Sequence, residues 1–214
     1  MSPLEERLLS QLQDRNKKGT LRSIDSPEND DTKHLIDFSS NDYLGLARSR
    51  RQQQKVQASY DWFLKKYSQV PPLGATGSRL LSGNSSHYRQ LETKLAKIHN
   101  RPSALIFNSG YDANLSILSS IPLEEDIILM DELAHNSLIM GVRMSRASRD
   151  NVMYFRHNNV EHLKQLLLQC RLKLEELRKG NIFIVCESVY SMDGDIAPLC
   201  EILDCAEKSY ASVS

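Results

Sequence analysis

The sequence predicts an α/β fold, with a mostly parallel sheet and flanking helices. Two observations carry this reading. Short apolar runs recur at Ala104–Phe107, Ile127–Met130, Val152–Phe155 and Ile182–Cys186, each bounded by polar residues, and the last is rich in β-branched residues. Such runs read as strands buried on both faces. Helical periodicity then follows each of them, at Tyr111–Ser120, Asn136–Ser145, Val160–Lys179 and Leu199–Lys208. Strands alternating with helices imply βαβ units joined by right-handed crossovers.

The N-terminal part reads differently. Pro3–Lys18 places Leu4, Leu8, Leu9 and Leu12 on one helical face, and Gly19 ends it. A polar, partly acidic loop runs through Ser26–Thr32 to a short strand candidate at Leu35–Phe38. Ser39-Ser40-Asn41-Asp42-Tyr43-Leu44-Gly45 has the composition of a turn. A long helix is expected over Ser49–Tyr67, with Val56, Tyr60, Phe63 and Leu64 on its apolar side, and Pro71–Pro72 stops it. A glycine-rich loop, Gly74–Gly83, precedes a helix that Ser85 or Ser86 caps, on which Tyr88, Leu91, Leu95 and Ile98 recur.

Composition narrows the partners. The 214 residues are 40% hydrophobic and 25% charged, as in globular proteins that stay in solution. Lys+Arg and Asp+Glu balance at 27 each, so no global field draws nucleic acid or an anionic membrane. Lys17–Lys18 and Lys65–Lys66 read as solvated helix faces. Cys170, Cys186, Cys200 and Cys205 form no C-x-x-C pair and no zinc pattern, which fits a reducing cytoplasm. The N-terminus has no apolar signal block, and no stretch is long enough to span a bilayer. No nucleic-acid or membrane partner is expected.

Chemistry is expected where the strands end, because open α/β sheets bind ligands outside the carboxyl ends of their strands. Asn108-Ser109-Gly110-Tyr111-Asp112 opens a helix with a small turn, which suits a phosphate at the helix N-terminus or is simply a tight turn capped by Ser109. Asp131-Glu132-Leu133-Ala134-His135 brings a histidine to the next helix start, as a catalyst or as a hydrogen-bonded loop residue. It is no nucleotide-hydrolysing motif, since G-x-x-x-x-G-K-[ST] is missing. Glu187, Ser188, Ser191, Asp193 and Asp195 follow the last strand, as a binding cluster or a self-capped turn. Their convergence on one rim favours a phosphate-bearing ligand across it.

These residues resemble the α-oxoamine synthases, pyridoxal-phosphate enzymes of fold type I. The resemblance lies in Asp37-Phe38-Ser39-Ser40-Asn41-Asp42-Tyr43-Leu44-Gly45-Leu46, Gly77-Ser78-Arg79-Leu80-Leu81-Ser82-Gly83, Ser109-Gly110-Tyr111 and Glu187-Ser188-Val189-Tyr190-Ser191-Met192-Asp193-Gly194-Asp195, in the family's order. The wording of Ser78-Arg79 and of Asp37–Leu46 is most similar to the 8-amino-7-oxononanoate synthases of biotin biosynthesis. It is partly shared with the 5-aminolevulinate synthases and the 2-amino-3-ketobutyrate ligases.

The resemblance implies roles. Gly110 and Tyr111 would hold the phosphate of pyridoxal 5'-phosphate through backbone N–H groups. His135 would stack on its ring, Ser191 would hydrogen-bond near the phenolic oxygen, and Arg22 would bind the substrate carboxylate. The glycine-rich loop would lie near the dimer interface and the acyl-CoA path. The implied reaction joins an amino acid, L-alanine, to an acyl-CoA, pimeloyl-CoA, with loss of carbon dioxide and CoA, in a cytoplasmic homodimer.

Residues 1–48 would form the N-terminal helix and substrate-side segment. Residues 49–214 would form the N-terminal half of the fold-type-I large domain, without the small C-terminal domain. The family pattern continues with an Asp-Glu-Ala-His-like strand end, whose Asp pairs with the pyridinium nitrogen, and a Thr-x-x-Lys motif carrying the Schiff-base lysine. This sequence ends at Tyr210-Ala211-Ser212-Val213-Ser214, about where that strand would begin, and none of its lysines sits in the motif. The chain alone is therefore expected to be inactive. Two further readings stay open: a non-catalytic partner of a full-length homologue, and a prematurely terminated product.

Overall fold

The computed structural model describes residues 2–22, 36, 38, 40–67, 74–177, 179–209 and 212–213. The loop Ser26–Thr32, Leu35 and Asp37 of the strand candidate Leu35–Phe38, Ser39 of the expected turn and Pro71–Pro72 lie outside the described residues. The chain divides into two compact units, residues 1–74 and 75–214.

In the first unit, α1 spans Pro3–Lys17 and α2 spans Arg50–Lys66. Ser2 and Glu5 form a reciprocal capping box on α1, and proline occupies its first turn. Ser49 caps α2 by accepting from the Gln52 amide. The expected turn is present at its described residues: the Asp42 amide donates to Ser40 Oγ at 3.0 Å, and the Gly45 amide to the Asp42 carbonyl at 3.0 Å. Neither helix buries a residue. The leucine face read from the sequence exists, but Leu4, Leu8, Leu9 and Leu12 are all exposed.

The second unit opens with α3, Ser86–Ile98, and Ser85 is the residue that caps it. Then come α4 (Gly110–Ser120), β1 (Ile127–Asp131), α5 (Asn136–Met144), β2 (Val152–Phe155), α6 (Val160–Leu177), β3 (Ile182–Val185), α7 (Leu199–Ser209) and β4 (Ser212–Val213). The sheet order is β2-β1-β3-β4, and every pairing is parallel. β4 is a two-residue strand beside Phe183 and Ile184, at the place where the resemblance puts the start of a further strand. One expected strand is corrected. Ala104–Phe107 joins no ladder, because no described strand lies beside it and the Ile106 amide donates instead to Glu92 Oε1 at 3.0 Å.

β1 is the centre of the unit, and all five of its residues are buried. Its side chains alternate between two cores, as strand geometry requires. Ile127 and Leu129 pack with Phe155, Leu163, Leu167, Ile184 and Ile202, beneath α6 and α7. Ile128 and Met130 pack with Leu118, Leu138, Val142 and Val185, beneath α4 and α5. The polar start of β1 is satisfied in place. Asp126, almost wholly buried, accepts from the amides of Leu123 and Asn181, each at 2.7 Å, and from Asn181 Nδ2 at 3.1 Å.

α4 and α5 cross closely at Gly141. A Cβ there would stand 2.9 Å from Leu118 Cβ, 3.0 Å from the Asn114 carbonyl oxygen and 3.3 Å from Leu115 Cα. Two of these atoms are backbone, so α4 as a whole would have to move. Gly141→Ala gains up to about 1 kcal/mol of helix propensity against an overpacking cost of about 1–3 kcal/mol. A net loss of stability is expected, read as a lower urea midpoint. An unchanged midpoint would show that the helices can separate without cost.

Candidate functional site

The start of α4 supplies the first element. Ser109 is its cap, in an extended conformation. The Asp112 amide donates to Ser109 Oγ at 3.0 Å and the Ala113 amide to the Ser109 carbonyl at 3.1 Å. The amides of Gly110 and Tyr111 precede these and so lie outside the helix's own ladder. Both residues are exposed, and open space surrounds Gly110 where a Cβ would stand. The turn is therefore present with Ser109 as its cap, delivered by a helix packed on α5 and not by a sheet strand.

His135 is the second element and the cap of α5. Its Nδ1 accepts from the Ser137 amide at 3.1 Å and lies 2.7 Å from Ser137 Oγ. An Nδ1 that accepts from an amide puts the ring proton on Nε2. Ser137, fully buried, is fixed in turn by Asn114 Nδ2 of α4 at 2.9 Å. The two helix starts are joined again where Asn136 Nδ2 donates to the Tyr111 hydroxyl at 3.2 Å. The Tyr111 and His135 rings stand edge to face with centroids 6.2 Å apart. Gly110, Tyr111 and His135 thus form one connected cluster.

Ser191 lies on the turn after β3. The Tyr190 amide donates to the Asp195 carbonyl at 3.0 Å, the Gly194 amide to the Tyr190 carbonyl at 2.8 Å, and Val189 bridges Ile196 in antiparallel fashion. Ser191 is exposed at the tip of this turn. Glu187, at its root, accepts from the His135 amide at 2.7 Å and so ties the strand ends of β1 and β3 together. Arg22 is exposed and belongs to the first unit.

The end of β2 escaped the sequence reading. His157 follows β2, its Nδ1 lying 2.8 Å from Asp131 Oδ1 and its Nε2 2.8 Å from Asp195 Oδ2. The Asn158 amide donates to Asp131 Oδ2 at 3.0 Å, and Asn158 Nδ2 to Asp195 Oδ2 at 2.6 Å. The Asp131 bond, helped by Asp195, raises the pKa of His157 against the opposing effect of burial, while His157 lowers that of Asp195. The available signal was the polar run Arg156-His157-Asn158-Asn159 directly after an apolar run, the same pattern that marked the other strand ends. Nearby, burial pushes the Cys186 thiol up to about 11, which leaves it protonated at neutral pH. Among the described residues no group of His, Cys, Asp or Glu is arranged to hold a metal ion.

The glycine-rich loop is shaped by close backbone approach. A Cβ at Gly83 would fall 1.7 Å from the Gly77 carbonyl oxygen, so only glycine closes the loop. Arg79 anchors it, donating to both oxygens of Glu92 at 2.7 and 2.8 Å and stacking over Tyr88. The Arg79 bond, followed by the Ile106 amide, lowers the Glu92 carboxyl to about 2.

A parallel sheet with flanking helices, carrying a capped histidine and paired carboxylates at its strand ends, has the fold of the fold-type-I pyridoxal-phosphate enzymes. The family model described as aminotransferase class I and II matches residues 33–212, and the chain belongs to that family, within its α-oxoamine synthase branch. It is 43% identical over 179 residues to an 8-amino-7-oxononanoate synthase of Emericella nidulans, covering 81% of this chain and 41% of that protein. A putative 8-amino-7-oxononanoate synthase of Bacillus licheniformis is 38% identical over 210 residues, 98% of this chain and 50% of that one. The chain thus spans about half the length of the curated relatives it matches, or less.

Among solved structures, a serine palmitoyltransferase of Sphingomonas wittichii superposes with a TM-score of 0.66 at 32% identity, over 80% of this chain and 39% of that one. A serine palmitoyltransferase from S. paucimobilis with a bound PLP-myriocin aldimine gives 0.72 at 25% identity, over 100% and 54%. The 8-amino-7-oxononanoate synthase of Francisella tularensis gives 0.57 at 26% identity, over 80% and 42%.

The loop anchor carries a pH prediction. Because Glu92 has a lowered folded pKa, its contribution to stability is present above its ordinary pKa and is lost as pH falls toward about 2. Glu92→Gln should lower the melting temperature at neutral pH, and the gap to the parent protein should close on acidification. A gap that is constant from pH 7 to pH 2 would show that the Glu92 charge is not what anchors the loop.

Proposed function

We propose that this chain provides the phosphate-binding and ring-stacking side of a pyridoxal-phosphate-dependent acyltransferase, one that condenses L-alanine with pimeloyl-CoA with loss of carbon dioxide and CoA, as in biotin biosynthesis. The observation that carries this reading is the joining of the α4 and α5 starts through Asn136 and Tyr111. It brings two amides that lie outside the α4 ladder and a fixed imidazole into one cluster. The names of the relatives support the reaction, and the same wording leaves 5-aminolevulinate synthase-like and 2-amino-3-ketobutyrate ligase-like substrates as the neighbouring possibilities.

The residues fit the cofactor. Gly110 and Tyr111 offer amides and a positive helix end to a phosphate, and the missing Cβ at Gly110 keeps the approach open. His135, locked by its cap, presents its ring to a pyridine face, with Nε2–H free to donate. Ser191, on the β3 turn, is assigned to the phenolic oxygen, and Arg22 to the substrate carboxylate. Pyridoxal phosphate, when bound, supplies the electron sink for the α-carbon of the amino acid. The protein's part is to bind, orient and exclude water.

A division of roles at residues 48 and 49 follows from the same reading, as do a cytoplasmic homodimer and dependence on a Schiff-base lysine that these 214 residues do not supply in the Thr-x-x-Lys wording. Among the described residues no helix is long and apolar enough to cross a membrane.

Gly110→Pro tests the phosphate site. Proline is favoured at the first helical position, and the extended Ser109 tolerates it, so the helix remains while one amide donor is lost. The affinity for pyridoxal phosphate, followed by tyrosine fluorescence quenching, should fall about tenfold or more, the weight of one hydrogen bond to a charged group. Unchanged affinity in the folded variant would remove Gly110 from the site.

Borohydride treatment of these 214 residues with pyridoxal phosphate should fix no specific lysine label. A specific label, together with turnover of alanine and an acyl-CoA, would overturn the expected inactivity of this chain. Co-purification with a longer homologue and no turnover would favour the partner-subunit reading.

A further inference from the structure

We propose that His157 is a positioning residue: its doubly protonated ring donates to Asp131 and Asp195 at once, and so fastens the turn that carries Ser191 to the end of β1. The geometry requires two donors. Both ring nitrogens lie 2.8 Å from carboxylate oxygens that belong to different segments, Asp131 at the end of β1 and Asp195 in the turn after β3. A neutral imidazole has one N–H and would set its remaining lone pair against a carboxylate. Asn158 Nδ2 is 3.2 Å from Nε2 but only 2.6 Å from Asp195 Oδ2, so it serves the carboxylate.

The clamp links three strand ends. Asp131 Oδ1 also accepts from the Leu133 amide at 2.9 Å, and so holds the segment leading to His135. The groups facing His157 are Asp131, Glu132, Asp195 and Tyr190. The Glu132 carboxylate accepts from the His157 amide at 2.9 Å, and the Tyr190 ring stands edge to face at 4.5 Å. Cys186 lies close to Asp131 and stays neutral. Asp131 is fully buried, whereas the Asp195 side chain is 40% exposed, so the outer half of the clamp is the half that can open. Asp195 Oδ1 has no protein partner among the described residues, which leaves His157 and Asn158 as the compensation for that carboxylate.

A histidine with a raised folded pKa contributes stability that is fully present below its unfolded pKa and is lost as pH rises through the folded one. Asp195, with a lowered pKa, contributes above its unfolded pKa and loses that as pH falls through the folded one. The clamp is therefore tightest between the ordinary carboxylate and imidazole ranges and loosens toward alkaline pH. The consequence for a cofactor rests on the function proposed above; the clamp itself does not.

Two readouts on the folded protein decide it. Nitrogen-15 NMR should show the His157 ring titrating above an unstructured histidine, and Asp195→Asn should bring that midpoint down. Exchange protection of the Tyr190 and Gly194 amides, corrected for intrinsic rates, should fall about tenfold or more as the ring deprotonates. In His157→Gln it should be low and flat with pH. Should His157→Gln fail to fold, Asp195→Asn carries the same comparison from the exposed side. A ring midpoint at or below the ordinary value, or parent protection that is independent of pH, would overturn the proposal. Pyridoxal phosphate affinity, measured in parallel, should weaken with the same pH midpoint. If no protein binds it, the functional reading fails while the ring titration still decides the clamp.

Discussion

The second unit depends on the complete burial of β1 between β2 and β3. A strand with no exposed residue gains two hydrophobic cores, one on each face, but it must begin and end inside the protein. Both ends meet that demand with a buried carboxylate. Asp126 collects amides from the approach to β1 and the approach to β3. Asp131 collects them from the segments after β1 and β2. A buried carboxylate is costly unless its oxygens are filled by donors. Filling them fixes the loops that supply those donors. The ordering of the strand ends, and hence of the candidate site, is the other side of burying the strand.

The same logic explains what the sequence revealed and what it hid. β1, β2 and β3 were legible because each is an apolar run between polar residues, and the helices because their apolar residues recur at helical spacing. Ser109 and His135 were legible as helix starts, and the structure makes caps of both. Ala104–Phe107 has strand composition too, but composition does not supply a neighbour, and among the described residues none is present. β4 is only two residues long, below the length at which alternation can be seen.

The His157 cluster was hidden for a different reason. Its partners lie 26 and 38 positions away in sequence, and Arg156-His157-Asn158-Asn159 by itself reads as an ordinary polar loop. Only the parallel register of β1 with β2 and β3 brings those positions together. The link between Asn136 and Tyr111 is of the same kind, since it follows from the close crossing at Gly141, which no local pattern announces. What sequence reading recovers is local periodicity and end chemistry; what it loses is pairing across the sheet.

The cap that His135 places on α5 has an entropic meaning. A histidine free on a surface must give up rotamers when something stacks against it, and such freezing costs about 0.5–1.5 kcal/mol for each immobilised side chain. Here Nδ1 is committed to the Ser137 amide, and Ser137 is itself held from α4. The ring's freedom was surrendered when the helix formed. A flat ligand arriving at this rim therefore meets a surface whose ordering cost was charged to folding and not to binding.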